Sequence, residues 1–418
     1  MSDLLVYLVK QPLYDRDLKR HGILRLSADG YQITVIDLTE ILHPETPRPG
    51  RPALLPKHVE VIEPADWAAF ERLEDKIQSA KLVFLFTQSY GLSASTLRPL
   101  RMLARTRTAY AIQGTVSLPG LTHHVHNFTS QPLSTFWSRL KHMNLRNSIV
   151  SRLSPKLLNI PAAKYALVPC AEETSIAGNS LVGPKTQIVP LHTSDYEAFW
   201  NSNLSEVTHA QKKTNKAVFI DQNMPYHIDY NEINARKINP KRYYEQLRAT
   251  FDAIEDKTGI QIEIAKHPRA VYEDINLRFG KRPIYEGRTM EMIAESDLVL
   301  MHHSTAIGLA VLMQKPIAFL VSKELYGRHP IDRTCYDALS KELGSPLRFM
   351  DEMVEKMLDG LFDANPDLYH RYATRYLRHA EAKDVPYWDA AKTFISEISS
   401  HQPATNRDQS LNQKSDPR

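Results

Sequence analysis

The alternation of apolar and polar positions is clearest between Ile260 and Ser322. Isoleucine at every second position from Ile260 predicts a strand. Pro268 ends that strand at His267, because proline cannot continue a ladder and keeps the preceding residue extended. Beyond it the pattern predicts a helix over 289–295, a strand over 297–301, a helix over 306–313 and a strand over 317–321. Polar residues gather where these strands end, and ligands bind there in parallel sheets.

The rest of the chain repeats this alternation and predicts two α/β halves. The first half has predicted strands at 4–9, 32–38, 81–87 and 108–112, and helices at 16–28, 66–78 and 97–106. The segments 164–169 and 186–190 complete it. In the second half, a strand at 217–221 and a helix at 240–258 precede the stretch described above, and helices follow at 351–361, 366–382 and 388–398. The sequence therefore predicts an α/β fold of two Rossmann-like, doubly wound domains facing a cleft, with C-terminal helices.

The 418 residues are enough for two hydrophobic cores. We expect a first domain over 1–200, an aperiodic polar linker over 201–215 and a second domain over 216–350. The helices of 351–400 are expected to cross back to the first domain. The polar tail, 401–418, is expected to be disordered.

Composition excludes several classes of protein. The 52 basic and 48 acidic residues leave a net charge of +4, too small to argue for nucleic acid. Two distant cysteines, Cys170 and Cys335, are typical of a reducing compartment and exclude a CxxC metal site. The N-terminus has no basic leader before its apolar run, and no stretch has the roughly 20 apolar residues that span a bilayer. We therefore expect a cytoplasmic protein.

The segment from His302 to Thr305 is the first candidate for chemistry. Ser304 or Thr305 can cap the predicted helix, whose free N–H groups and dipole favour an anion such as phosphate. His267 ends the preceding strand of the same unit. The alternative is a plain N-cap, but capping alone does not need two neighbouring histidines.

The loop after the strand at 217–221 is the second candidate. It contains Asp221, His227 and Asp229, which we predict as catalytic residues, because carboxylates and imidazoles at a strand end can act as general bases. An aspartate at a strand end is also a common turn former. His192 and Asp195, on the first-domain side of the cleft, are competing candidates.

Histidines and basic residues also occur between 118 and 160. His123, His124 and His126 have no accompanying carboxylate, so we predict a polar loop and no metal site. The segment 134–158 is predicted to be helical with one basic face. Such a face is either solvated or lies on an anionic membrane surface.

The layout of these motifs resembles the C-terminal nucleotide-binding domain of GT-B glycosyltransferases. More narrowly, it resembles bacterial sialyltransferases and Kdo transferases, whose His-Pro motif and Ser/Thr-rich helix start hold a CMP-activated sugar. The matching residues are His267-Pro268 and Ser304-Thr305, and the match is good over residues 216–325. The segment 296–316 also resembles surface-polysaccharide enzymes that use other nucleotide sugars.

This resemblance implies donor contacts at His267, Pro268, Ser304 and Thr305. We predict that Lys266, Arg269, His302 and His303 belong to the same donor site. The resemblance also implies transfer of a sugar, with a CMP-sugar favoured, from a nucleotide donor to a surface glycan such as capsule or lipopolysaccharide. The acceptor would be a glycan or lipid-linked glycan, with peripheral contact at the inner membrane. No DxD-like motif ends a strand, so we expect metal-independent catalysis. The alternatives are a nucleotide-sugar epimerase and a non-catalytic nucleotide-sugar-binding protein.

Overall fold

A computed structural model describes residues 3–44, 54–86, 92–115, 117–120, 150, 153–171, 176, 179–202, 213–227, 230, 235–268, 270 and 275–400. These residues form two wholly parallel sheets, of seven and six strands, with helices packed on them. The predicted α/β fold of two doubly wound units is therefore confirmed.

The first sheet takes its strands from the N-terminal half of the chain. They are β1 (Leu4–Val9), β2 (Gln32–Asp37), β3 (Val59–Ile62), β4 (Leu82–Phe86), β5 (Tyr110–Gln113), β6 (Tyr165–Val168) and β7 (Gln187–Pro190). Their order across the sheet is β3-β2-β1-β4-β5-β6-β7. The central strands are unbroken apolar runs because helices cover a parallel sheet on both faces. β3, whose side chains are only partly buried, is the edge strand that the hydrophobic pattern did not predict.

The second sheet repeats the same arrangement. Its strands are β8 (Lys216–Ile220), β9 (Gln261–Ala265), β10 (Ile284–Tyr285), β11 (Leu298–Met301), β12 (Ile317–Val321) and β13 (Leu347–Phe349). The order β10-β9-β8-β11-β12-β13 reverses direction between β8 and β11. Connections on either side of such a reversal run over opposite faces of the sheet. A crevice is left at the carboxyl ends of the two strands.

Helices connect and cover the strands. In the first half they are α1 (Asp15–Arg20), α2 (Ile23–Ala28), α3 (Thr39–Leu42), α4 (Trp67–Glu71), α5 (Glu74–Gln78), α6 (Leu97–Thr106) and α7 (Ser194–Trp200). In the second half they are α8 (Pro240–Thr258), α9 (Ile275–Phe279), α10 (Thr289–Glu295), α11 (Ile307–Leu312), α12 (Lys323–Tyr326), α13 (Pro330–Leu343), α14 (Val354–Leu358), α15 (Pro366–Tyr376) and α16 (Tyr387–Ser400). Short 3₁₀ turns lie at Pro155–Leu158 and Met224–Tyr226.

One predicted helix is divided in the structure, and another ends earlier than its sequence pattern indicates. The helix expected over 16–28 is divided at Gly22, whose φ of 71° is left-handed. The indole of Trp388 packs directly on Gly22, so that a Cβ there would lie 2.1 Å from the ring. The helix expected over 366–382 ends at Tyr376, because the backbone that follows it pairs with the segment after β7 instead.

The C-terminal part of the chain joins the two halves. Tyr369 and Tyr372 of α15 belong to the core of the second sheet. The connection to α16 then bonds to the first half, where Thr193 N–H donates to the carbonyl of Leu377 at 2.8 Å. Tyr387 and Trp388 of α16 are buried in a core layer of the first sheet. The last helix therefore packs on the first sheet, while the exact domain limits stay a prediction.

Some predicted segments lie outside the described residues. They include 121–149, with its histidines and most of the basic helix, as well as most of the linker and the tail from 401 onward. Within the described part of the chain, no helix is long and apolar enough to cross a membrane.

Replacing Trp388 by alanine tests how far the first sheet depends on α16. Because the indole is buried and fills the space above Gly22, its loss is expected to cost about 3–5 kcal/mol and to lower the melting temperature by roughly 10 °C. Circular dichroism melts provide the measurement. Trp200→Ala is the control, because 43% of that side chain is exposed. An equal loss in both variants would contradict this packing role.

Candidate functional site

The reversal of strand order places two predicted segments side by side. β8 pairs with β11 along its length, so Asp221 and His302 both begin loops at the same edge of the sheet. The side-chain amide of Gln222 donates to the carbonyl of His303 and ties the two loops together. The loops predicted from separate parts of the sequence therefore meet at the position where doubly wound sheets bind ligands.

His267 reaches the same edge from β9, on the other side of β8. Its ring centroid lies 5.3 Å from that of His227. His267 and the Ser304 turn belong to consecutive units of the sequence, but their strands are not neighbours, because β8 lies between β9 and β11. Two strand spacings, roughly 10 Å, separate those ends. The loop after β8 bridges this distance through His227.

The residues next to His267 differ in their surroundings. Lys266 Nζ donates to Glu286 at 2.7 Å, which partly offsets its charge for an anionic ligand. Pro268 is exposed. Arg269, like Asp229 of the predicted catalytic set, lies outside the described residues.

His302 is placed in the core rather than at the crevice. It is fully buried, with Nδ1 2.6 Å from the carbonyl of Leu320 and Nε2 2.7 Å from the hydroxyl of Tyr243. Burial lowers its pKa to about 4, so the ring is neutral. We therefore correct its predicted role: His302 fixes the packing of β11 against β12 and α8 and cannot contact a donor.

His303 is half-buried and belongs to a network that the sequence patterns did not single out. Its Nε2 lies 2.9 Å from Asp332 Oδ1 and 3.1 Å from the hydroxyl of Tyr230. That hydroxyl donates to the same carboxylate oxygen at 2.7 Å. Asp332 is fully buried in the first turn of α13. In the sequence, Asp332 belongs to a polar segment after β12. Hydrophobic periodicity predicts no functional role for such a segment.

Ser304 and Thr305 precede a shorter helix than predicted. The helix begins at Ile307, with Ala306 as its N-cap, and it has six residues. Ser304 forms the turn before it, since its Oγ accepts a hydrogen bond from Ala306 N–H at 3.3 Å. The prediction of a helix-end phosphate site is weakened, because few peptide dipoles are aligned in such a short helix. Ser304 and the exposed Thr305 still border the crevice.

Asp221 is a turn-forming residue in this structure. Only 2% of its surface is exposed, and Oδ1 accepts a hydrogen bond from Asn223 N–H at 2.9 Å. The turn places Asn223 at a φ of 50°, where Arg278 Nη1 reaches its side chain at 3.3 Å. The prediction of Asp221 as a general base does not fit this burial, since a base must contact the hydroxyl whose proton it takes.

The segment after β7, at the carboxyl edge of the first sheet, contacts the second half of the chain. Thr193 caps α7, which places Asp195 in the first turn of that helix and against α11. A Cβ built on Gly308 would lie 3.2 Å from Asp195 Oδ2. Burial raises the pKa of Asp195 to about 6, and the charge of Arg20 opposes that rise. His192 is buried with its Nε2 3.7 Å from Glu197.

Asp195 predicts a pH dependence of stability. Its folded-state pKa, about 6, lies above the ordinary 3.8. The stability contributed by the protonated Asp195 side chain is therefore fully present below pH 3.8. It is lost as the pH rises through about 6, because the buried carboxyl then ionises. Asp195→Asn is expected to raise the melting temperature by roughly 2–4 °C at pH 8 and by less at pH 4.5.

Melting curves of wild type and variant at the two pH values test this prediction. Asp256→Asn, at an exposed position on α8, is the control and should show no such pH-dependent difference. A stabilisation by Asp195→Asn that is equal at both pH values would contradict the assignment.

Comparison with known proteins gives structural neighbours only. No protein-family model matches the chain, and no curated protein matches its sequence. A solved UGT transferase from Siraitia grosvenorii in complex with UDP has a TM-score of 0.50 and 11% identity, covering 95% of this chain and 100% of that one. The wall teichoic acid polymerase TagF has a TM-score of 0.50 and 9% identity, over 96% of this chain and 90% of its own.

The calicheamicin glycosyltransferase CalG4 has a TM-score of 0.50 and 10% identity, covering 96% of this chain and all of the other. Identities this low establish likeness of fold. Together with the two parallel sheets, they show that this chain has the two-domain α/β fold of GT-B glycosyltransferases.

Proposed function

We propose that the protein is a glycosyltransferase that binds a nucleotide-sugar donor at the carboxyl edge of the second sheet and its acceptor at the facing edge of the first. The observation that carries this proposal is the meeting of three strand ends at the reversal of strand order. In support, the ring centroid of His267 lies 5.3 Å from that of His227, and Tyr230 contacts both His227 and His303. Imidazole rings can hydrogen-bond to phosphate and carry positive charge near neutral pH.

The donor phosphates are assigned to the histidines and the Ser304-Thr305 turn. Because α11 is short, its dipole supplies little of the charge needed by a leaving phosphate. Arg278 adds a cation nearby, held at 2.8 Å by the hydroxyl of Tyr244. Metal-independent catalysis remains part of the proposal, supported by the lack of a DxD-like motif at a strand end of the sequence.

Acceptor deprotonation is assigned to Asp195. Its carboxylate lies between the two halves, next to Gly308, and its pKa of about 6 suits a base that works near neutral pH. Of the residues predicted as catalytic, His227 is proposed to contact the donor at the crevice. Asp221 shapes the loop on which His227 lies.

The proposed donor and acceptor classes rest on the resemblance to sialyltransferases and Kdo transferases. Through His267-Pro268 and Ser304-Thr305, that resemblance implies a CMP-activated, Kdo- or sialic-acid-like sugar. A surface glycan such as capsule or lipopolysaccharide, including a lipid-linked form, is the proposed acceptor. The basic residues Arg139, Lys141 and Arg146, outside the described residues, support peripheral contact with an anionic membrane.

His267→Ala is expected to weaken nucleotide binding by about 10-fold to 100-fold, because one charge-assisted hydrogen bond to phosphate would be lost. Its melting temperature should stay close to wild type, since His267 is only partly buried. Calorimetric titration with CMP, CDP, UDP, GDP and dTDP measures the affinity. His370→Ala, on the exposed face of α15, is the control. Unchanged affinity in folded His267→Ala would remove this residue from the donor site.

Product analysis tests the transferase itself. The nucleotide sugar whose nucleotide binds best is incubated with the protein, alone and with glycan or lipid-linked acceptors. A transferase should form a new glycoside only with acceptor, and Asp195→Asn should lower the rate by about 10²–10⁴ with donor affinity little changed. Epimerisation of the donor alone would indicate an epimerase. Binding with no product under either condition would indicate a non-catalytic binding protein.

A further inference from the structure

The network around His303 contains a carboxylate that folding alone does not explain. Asp332 is fully buried, and its described hydrogen bonds go to Tyr230 and His303 rather than to the backbone of its own helix. Its second oxygen, Oδ2, has no hydrogen-bond partner among the described residues. Burying a carboxylate with one oxygen unpaired is costly, and an apolar residue of similar size would avoid that cost.

The surroundings compensate only part of this charge. Arg328 lies with its guanidinium 3.3 Å from the ring centroid of Tyr230, and it donates to the carbonyls of Met224 and Arg236. Tyr230 thus separates the arginine from the carboxylate. The hydroxyl of Tyr336, one turn beyond Asp332, is buried without a partner in the described part of the chain. The group that contacts Asp332 and also extends towards the crevice is His303.

The contact fixes where the proton of His303 resides. A carboxylate only accepts hydrogen bonds, so the nitrogen that faces Asp332 Oδ1 must carry the hydrogen. In the neutral ring, Nε2 is therefore protonated and Nδ1 has the free lone pair. Nδ1 has no hydrogen-bond partner among the described residues, and it is not among their buried unpaired atoms.

The ring is held in orientation as well as in tautomer. Tyr336 packs edge-on against His303 with ring centroids 4.9 Å apart. Gln222 donates to the His303 carbonyl and so anchors its backbone to the loop after β8. The titratable and charged groups around the imidazole are Asp332 and Tyr336 of α13, Tyr230, Arg328 behind Tyr230, and the neighbouring His302.

We propose that Asp332 is a positioning residue that holds His303 with its proton on Nε2 and presents Nδ1 to the phosphate groups of the donor. This inference rests on the proposed function for its ligand. Protonation of Nδ1 would give an imidazolium that faces the Asp332 carboxylate on one side and can donate to a phosphate oxygen on the other. The same arrangement explains why a buried carboxylate is retained behind the crevice.

The tautomer provides the first test and requires no ligand. Long-range ¹H–¹⁵N spectra of protein labelled at histidine, assigned by comparison with His303→Gln, distinguish a proton on Nε2 from one on Nδ1. Wild type and Tyr230→Phe should both show His303 with hydrogen on Nε2. Asp332→Ala should show a mixture of the two tautomers. A proton on Nδ1 in neutral wild type, or an unchanged tautomer in Asp332→Ala, would overturn the positioning role.

Phosphate affinity provides the second test, with inorganic pyrophosphate and CDP as probes. Asp332→Asn keeps the shape of the side chain and removes its charge. It should weaken the binding of both probes by about 10-fold to 100-fold, the size of effect seen when a carboxylate that orients a metal-binding histidine is lost. Tyr230→Phe should bind within a few-fold of wild type. Melting curves confirm folding, and if Asp332→Ala is unfolded, Asp332→Leu, which also removes the acceptor, replaces it in the tautomer test.

The outcomes separate the two proposals. If wild type binds the probes and folded Asp332→Asn binds them equally well, the inference about Asp332 is wrong while the donor site stands. If wild type binds neither these probes nor any nucleotide, the proposed function fails and the ligand assigned to His303 fails with it. The spectra then still decide whether Asp332 fixes the ring.

Discussion

The reversal of strand order between β8 and β11 is the constraint from which the site follows. Crossover connections in parallel sheets are right-handed, so the chain leaving β8 and the chain leaving β11 must pass over opposite faces. Their first residues are consequently left at the sheet edge with open space above them. The amide of Gln222 can then join the two loops, and side chains from β9 and α13 complete the surroundings.

The two adjacent histidines after β11 show how burial divides one motif into two roles. Side chains alternate between opposite sides as the chain leaves the strand. His302 points into the core, where two neutral hydrogen bonds satisfy it. His303 points to the other side and meets a carboxylate. A pair that looks like a single donor motif in the sequence is therefore one packing residue and one candidate ligand contact.

The sequence predicted the central strands well and the site only in part. Runs such as Leu4–Val9 and Ile317–Val321 are apolar throughout, so their burial could be predicted without tertiary information. The division of a helix at Gly22 could not, since it depends on Trp388 from the far end of the chain. The order of the strands across the second sheet also could not be predicted from the sequence. Sequence proximity placed His267 beside Ser304, whereas strand order inserts β8 between them. Asp332 gave no signal because an acidic residue in a helix's first turn is commonplace.

The return of the chain to the first sheet constrains how the two halves can move. The polypeptide passes between them twice, once before β8 and once between α15 and α16, and the second passage is hydrogen-bonded to the segment that precedes the first. Two covalent connections restrict how far the two halves of the chain can separate. Asp195 contacts α11 between the two halves, so a movement of one half against the other would change the surroundings of that carboxylate.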